Sequence, residues 1–563
     1  MFIPKLFTCL KSYSKEQFTK DLISGVIVAI IALPLSIALA IASGVSPEKG
    51  LYTAIIAGFL ISLLGGSKVQ IGGPTGAFVV IVYGIIQKYG IEGLTIATLM
   101  AGFFLLLMGI LKCGNMIKYI PYPITTGFTS GIAITIFSTQ IKDFLGLNID
   151  VPSEFMGKWI VYFQNLNSIN TQSLLIGLIS ILLIVILPKI NKKIPPTLIA
   201  IILSTFATIY FNLNIDTIGS KFSNIPSTLP SIHIPNLDMN MIITLIPSAI
   251  TIAILAGIES LLSAVVADGM VGSNHRSNME LVAQGIANIG SALFGGIPAT
   301  GAIARTAANI KNGGRTPISG IVHSITLILF MMILMPYIKL VPMASLSAIL
   351  IVVSYNMGEW DAFKRIHKFP KSDSLVFLTV FILTVFFDLV IAICVGIVLS
   401  SFLFMKRMAD VTDIKPVSYT YEQVDDSEFE YKVQIPKDIY IYEINGAFFF
   451  GATDKFIKTM KNINNLPKVL ILKMSNVLAM DATAYNALES TQDLCDKNGI
   501  KLLILDIQYQ PLKLLKKCGF ITNKNQDILF KDFDSVFNKA LNIVNTYYDR
   551  QKDIPEIPKT HTA

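Results

Sequence analysis

Long uncharged apolar runs dominate the first 405 residues, and a different pattern takes over after them. Leu22 to Ala42 carries no charge, and about 20 apolar residues are what a helix needs to cross a hydrocarbon core of ~30 Å. The run is long, the lysine-bearing segment before it is extended, and equally apolar stretches follow, so it reads as a spanning helix and not as a cleaved signal. Spans are predicted at 22–42, 50–65, 76–88, 93–111, 123–141, 172–188, 195–213, 241–266, 280–294, 300–311, 316–336, 343–355, 373–389 and 390–405, fourteen in all. The third and tenth start at breaks, Gly72-Gly73-Pro74-Thr75-Gly76 and Gly295-Gly296-Ile297-Pro298-Ala299-Thr300-Gly301. Unpaired backbone facing lipid costs several kcal/mol per group, so these breaks should line a protein-walled or wet cavity. Beyond Lys406-Arg407 strand and helix patterns alternate: strands at 438–444, 468–474 and 500–507, helices at 453–462, 481–497, 510–517 and 534–548. That order predicts a small α/β domain. The expected layout is a cytoplasmic segment (1–20), a transmembrane transport domain (21–407), a polar linker (408–437), the α/β domain (438–550) and a disordered tail (551–563).

The two breaks share a short echo, Thr75-Gly76-Ala77-Phe78 and Thr300-Gly301-Ala302-Ile303, offset by 225 residues. The same offset carries the start of the first span close to that of the eighth, near Pro247. Seven spans separate the copies, and an odd number of crossings inverts the second copy. The predicted fold is therefore a polytopic α-helical membrane protein built as a seven-plus-seven inverted repeat, with its binding site at the repeat interface near the midplane.

A helix that begins in mid-membrane presents free amides and the positive end of its dipole to the cavity, and two such ends facing one another make an anion site. Glu259 is the only ionisable residue within Met241–Val266. A bare carboxylate there should bind a cation, pair, or stay protonated for part of a cycle, which makes it the candidate for proton coupling. Arg305 either neutralises the anion or pairs with Glu259, and spacing leaves both open. His275, His323 and His367 fall at loops or span ends without ligand partners, and Asp388 falls at an outside turn.

Composition narrows the class. Apolar residues make up 53% and charged ones 15%, against about 25% charged in an ordinary soluble domain, and mean hydropathy is +0.62. A disordered or nucleic-acid-coating protein is excluded. The net charge of +8 reads as loop charge facing anionic headgroups. Predicted inside loops hold thirteen Lys and Arg, and outside loops six (Lys49, Lys88, Lys142, Lys158, Lys221 and Lys339), which puts both termini in the cytoplasm of a cell whose cytoplasmic membrane holds the protein. The five cysteines lack paired or metal-type spacing. No nucleophile–base set or nucleotide loop is present, so neither enzymatic activity, a cofactor nor a metal is expected.

Several stretches carry a family resemblance: Asp21-Leu22-Ile23-Ser24-Gly25 with Ala32-Leu33-Pro34, Gly50-Leu51-Tyr52, Gly72-Gly73-Pro74-Thr75, Gly127-Phe128-Thr129-Ser130-Gly131, Glu280-Leu281-Val282-Ala283-Gln284-Gly285, and Gly295 to Arg305. Over nearly its whole length the chain resembles the SulP anion transporters, and its tail is similar to a STAS domain, with Val477 to Ala484 at the loop entering the second helix. The resemblance implies a core domain moving against a gate domain, homodimers, and an anion held between the third and tenth half-helices. It implies substrate contacts at Thr75, Gly76, Ala77, Phe78, Thr300, Gly301, Ala302, Ile303 and Arg305, and coupling through Glu259 and Ser263. Ile303 stands where the sodium-coupled branch has a sodium-ligating Thr, which favours a proton over sodium. Leu35 replaces the Gln common in sulfate permeases, which points away from sulfate. Asp481 is followed by Ala482 and Thr483 and not by a phosphorylatable Ser, which speaks against a phosphorylation switch. Gly285 to Asn309 and Gln140 to Leu147 look closest to the branch containing the aerobic C4-dicarboxylate (succinate) transporter, so the resemblance favours succinate or fumarate, with bicarbonate or sulfate as the alternative. A membrane sensor acting on a cytosolic protein through the tail is a third reading.

Overall fold

In the computed structural model the chain divides into two units, 1–400 and 401–563. The structure describes all residues except 1–2, 12, 116–120, 153, 192–194, 223–225, 227, 237, 388, 418, 424–429, 462–465, 523–525 and 553–563, and no side chains at 389–390, 419–434 or 550–552. Asp388, Lys118, Lys192, Lys193 and most of the expected tail thus lie outside the described residues, while Gln551 and Lys552 end a helix.

The first unit is helical. It begins with α1 (Lys5–Leu10), α2 (Lys15–Ala42), α3 (Pro47–Leu64), the two-residue β1 (Gly72–Gly73), α4 (Val79–Ile110), α5 (Tyr122–Leu145) and α6 (Phe155–Gln164). It continues through α7 (Thr171–Ile190), α8 (Pro196–Tyr210), α9 (Ile218–Lys221), α10 (Met239–Val271), α11 (Ser277–Leu293), β2 (Thr300–Gly301) and α12 (Ile303–Lys311). It closes with α13 (Ile318–Ile338), α14 (Met343–Met357), α15 (Trp360–Arg365), α16 (Lys371–Phe386) and the start of α17 (Leu389–Val411). Local chemistry sets several ends. The Ser14 side chain accepts from the Gln17 amide and starts α2, Asp238 does the same for α10 through Asn240, and Gly272 in the left-handed region stops it. The expected spans 76–88 and 93–111 meet at Gly90, whose φ of +65° bends α4 and suits a residue without Cβ.

Among the described residues, seven segments are long and apolar enough to cross a membrane: Lys15–Ala42, Pro47–Leu64, Gly76–Ile110, Thr171–Ile190, Met239–Val271, Ile318–Ile338 and Ile391–Val411. Other expected spans fall on helices that are shorter or more polar, such as α8, α11, α12 and α14. α11 shows why: Glu280, Gln284 and Asn288 are completely buried and lie against α3 and α4. A helix covered by other helices need not be apolar all round.

The second unit carries β3 (Asp413–Pro416), β4 (Tyr419–Gln423), β5 (Glu430–Gln434), β6 (Ile439–Asn445), α18 (Phe450–Lys461), β7 (Val469–Asn476), α19 (Ala482–Lys497), β8 (Lys501–Leu505), α20 (Tyr509–Lys517), β9 (Leu529–Phe530) and α21 (Phe533–Lys552). Its sheet runs β3-β6-β7-β8-β9, parallel from β6 to β9 with β3 antiparallel at the edge. Residues 469–472 are buried in succession, as a strand covered on both faces should be. Phe448 and Phe456 pack edge to face at 5.1 Å beneath it. The Asp481 carboxylate caps α19 through the Ala484 amide at 2.8 Å and takes the Phe450 amide at 3.0 Å. One expectation fails here. Residues 408–437 are not simply a polar linker, because β3 pairs with β6 and β4 pairs with β5 inside it; its many charges mask the alternation that a half-exposed strand needs.

Candidate anion-binding site

The two breaks meet. β1 and β2 form an antiparallel ladder, Gly72 opposite Gly301 and Gly73 opposite Thr300, and the Ala302 amide donates to the Ile71 carbonyl at 2.8 Å. Each extended lead-in thereby satisfies backbone groups of the other, which removes much of the cost of leaving helix geometry inside a bilayer. The glycines are required by closeness. A Cβ at Gly73 would run into Arg305 Nη1, and one at Gly301 would overlap the Gln70 amide. Gln70 Nε2 in turn donates to Ser260 Oγ on α10 at 2.8 Å, which ties the ladder to the eighth-span helix.

A helical turn at Gly76–Phe78 leads from the first break into α4, and α12 follows the second. Neither start has a side-chain cap. Among the described residues no acceptor serves the amides of Gly76 and Ala77, or those of Ile303, Ala304 and Arg305. These orphan donors belong to helix N-termini, where an anion finds both hydrogen bonds and a favourable dipole. α12 has nine residues, about 13 Å of helix and well short of a span.

Of the residues expected at the anion, Thr75 and Gly76 are half-buried and Ile303 is 39% exposed, so these border open space; Ala77, Phe78, Thr300, Gly301 and Ala302 are buried. The Thr300 hydroxyl points into the protein and donates to Ala256 O at 2.8 Å. Ala304, exposed beside Ile303, escaped the sequence reading because nothing but its place after the echo marks it.

Arg305 and Glu259 do not pair. The guanidinium is 1% exposed; its Nη2 donates to Pro74 O at 3.1 Å and Ser36 Oγ at 3.3 Å, while Nε and Nη1 have no partner. Among the described residues no carboxylate lies within salt-bridge distance of it. Glu259 Oε2 instead accepts from Thr75 Oγ1 at 2.9 Å, joining the eighth-span carboxylate to the first half-helix start. Ser263, one turn on, is buried and donates to Thr306 Oγ1 at 3.4 Å, so the structure does not bring it to Glu259.

Two features were missed or misplaced. His323 is not at a span end: it lies within α13, fully buried, and among the described residues neither ring nitrogen has a partner. A lone ionisable residue inside the 316–336 apolar run was the available signal. Glu280 was noted only as part of a motif, yet its carboxylate is fully buried, whereas Glu259 is half-buried. It accepts from the amides of Gly66 (2.8 Å) and Ser67 (3.1 Å), from Ser260 Oγ (3.1 Å) and from Gln284 Nε2 (2.9 Å). Of the other histidines, His275 contacts Asp268 at 2.7 Å.

The family model described as "Sulfate permease family" matches residues 18–380, and the STAS domain model matches 430–531. The chain belongs to the sulfate permease family. It is 42% identical to the putative sulfate transporter YvdB of Bacillus subtilis, covering 93% of this chain and 98% of that one. It is 31% identical to the bicarbonate transporter BicA of Picosynechococcus, over 85% and 87% of the two chains. The solved transmembrane domain of a cyanobacterial BicA superposes with a TM-score of 0.60 at 30% identity, covering 68% of this chain and 98% of that one. Murine solute carrier 26 family member A9, an anion transporter in the inward-facing state, has a TM-score of 0.85 at 18% identity, covering 96% and 94%, and shares the fold. This sulfate permease family protein is therefore a multi-pass anion transporter with a C-terminal STAS domain, and its family is one of transporters and not enzymes. The relatives named here carry sulfate and bicarbonate in their names, not the C4-dicarboxylates that the resemblance favoured.

Proposed function

We propose that the protein is a secondary active transporter that holds a compact oxyanion between the amides of Gly76 and Ala77 and those of Ile303–Arg305, driven by protons through Glu259. The observation that carries this reading is Arg305, a buried cation with unused donors and no carboxylate, beside two uncapped helix starts. A buried charge without a partner is costly, and an arriving anion supplies the partner. Glu259, bound only through Thr75, changes its hold on the first half-helix when it takes up a proton; the anion site and the proton site then share one element. Protonation from the outside and release to the cytoplasm let the anion move against its own charge, with both termini cytoplasmic and the protein working as a homodimer in the cytoplasmic membrane. Ile303 in place of a sodium-ligating Thr supports a proton over sodium.

Two donor sets and one guanidinium serve a dicarboxylate, bicarbonate or sulfate. The resemblance of 285–309 and 140–147 supports succinate or fumarate; the names of the relatives support bicarbonate or sulfate as the second reading. The test is uptake of labelled succinate, sulfate and bicarbonate into proteoliposomes with and without an inward proton gradient. Acid-stimulated accumulation of one of them is expected. Binding without net flux of any would instead favour a sensor acting through the STAS domain.

A further inference from the structure

Lys158 stands out among the residues the site does not use. It lies on α6, is 5% exposed, and its Nζ has neither a hydrogen-bond partner nor a carboxylate in salt-bridge range among the described residues. The stem of the side chain is buried, while Nζ, which is not among the enclosed unpaired atoms, opens onto the cavities that Lys158 lines. Its one neighbour of note is the face of Tyr83, with Nζ 5.9 Å from the ring centroid, at the edge of cation–π range.

The lysine borders two cavities of 440 Å³ and 450 Å³, and both are also lined by Tyr83 and Thr139. Such volumes fall among small-molecule sites, roughly 300–1,000 Å³. The second cavity reaches Val79 and Val80, the first residues of α4 beyond Phe78, and so extends along α4 from the half-helix start. Cations outnumber carboxylates on both walls: Lys142, Lys158 and Lys221 against Asp143 and Asp150 in one, Lys88 and Lys158 against Glu154 in the other. Asp143 is already engaged by Lys221 at 2.5 Å. α6 is fixed where it lies, because Trp159 Nε1 and Tyr162 Oη both donate to Ser138 on α5, to Oγ at 3.1 Å and to the carbonyl at 3.0 Å. The lysine is held in place without being neutralised.

We propose that Lys158, set against the Tyr83 ring, forms a second anion site, in which a mono- or divalent oxyanion is captured before it passes along α4 to the half-helix starts. The ammonium supplies charge and N–H donors, and the Tyr83 ring a wall that keeps the ammonium partly dry and its field strong; the Thr139 hydroxyl already donates to the Ile136 carbonyl at 2.6 Å and only lines the site. The proposal rests on the transport reading, with Lys158 on the outer side.

Two experiments on the full chain test it. In proteoliposomes, lysines are acetylated with acetic anhydride in chloride alone or with added succinate, sulfate or bicarbonate, and modification is read by mass spectrometry. Protection of Lys158 by at least one of the three is expected, with Lys339 unprotected, and it should persist in Arg305→Ala, where the central site is disabled. Equal labelling of Lys158 under every condition, or protection that disappears in Arg305→Ala, overturns the proposal. In uptake assays Lys158→Gln should raise the outside KM about tenfold, the equivalent of one charge-assisted hydrogen bond, with the maximal rate nearly kept, and Lys158→Arg should restore the KM. An unchanged KM in a folded Lys158→Gln protein overturns it too. If the native protein transports none of the three anions, the transport reading fails, whereas the labelling result decides the Lys158 site separately.

Discussion

The two half-helix starts are copies in sequence but not in chemistry. The first, at Thr75–Phe78, is tethered through the Thr75 hydroxyl to Glu259. The second, at Thr300–Ile303, turns its threonine away to Ala256 and is followed by Arg305, whose guanidinium reaches across to the Pro74 carbonyl of the first break. Both charged groups come from the second copy, Glu259 on α10 and Arg305 on α12, but the acid bonds the first start while the cation follows the second. An inverted repeat needs equal backbones to build a head-to-head site, but the side chains are free to diverge, and here they divide coupling from charge compensation.

Removing the cation should have the largest effect. Arg305→Ala is expected to weaken anion affinity ~100-fold, since it deletes charged hydrogen bonds of roughly 1.5–3 kcal/mol each, measured by uptake or by isothermal titration with the transported anion. The thermal midpoint should hold or rise, because an unpaired buried charge is lost; a collapse of the midpoint would make Arg305 a structural residue. Next comes Glu259→Gln. A pH gradient of one unit stores about 1.4 kcal/mol per proton, enough for ~10-fold accumulation. The variant should lose that accumulation yet keep anion exchange, because a Gln carbonyl still accepts from Thr75. If acid still stimulates uptake in Glu259→Gln, the division of roles is wrong. Thr75→Val should be milder, about fivefold in KM for one lost hydrogen bond of ~1 kcal/mol, with Thr75→Ser close to the native value.

The smallest effect on transport is expected from Glu280, a buried carboxylate away from the half-helix starts. Glu280 has four donors where Glu259 has one, so Glu280 is a fixed brace between α11, α10 and the loop after α3. Glu280→Gln should lower stability by about 1–3 kcal/mol by setting an amide NH₂ against existing donors, with the proton dependence of the remaining transport unchanged.

The breaks themselves were legible because glycine and proline interrupt an apolar run and the interruption repeats. The ladder between Gly72–Gly73 and Thr300–Gly301 follows from that repeat. Whether Arg305 serves the anion or Glu259 was not legible, because the answer depends on the guanidinium passing over Gly73 to Pro74, a contact between residues 231 positions apart. His323 was hidden for a related reason: burial within α13 is a property of the packed helices and not of the run that contains it. In the second unit alternation marked β6 and short apolar runs marked β7 and β8, while β3, β4 and β5 were masked by charge. Lys158 counted only as a loop charge, since a single basic residue on a short helix does not announce its burial.

The central claim is that the anion sits between the two starts. A structure determined with a bound selenate, or with the transported anion in its place, tests this most directly. The account predicts density about 3 Å from the amides of Gly76, Ala77 and Ile303–Arg305, with Arg305 Nη1 turned toward it; density elsewhere in the first unit, with those amides unliganded, would contradict it.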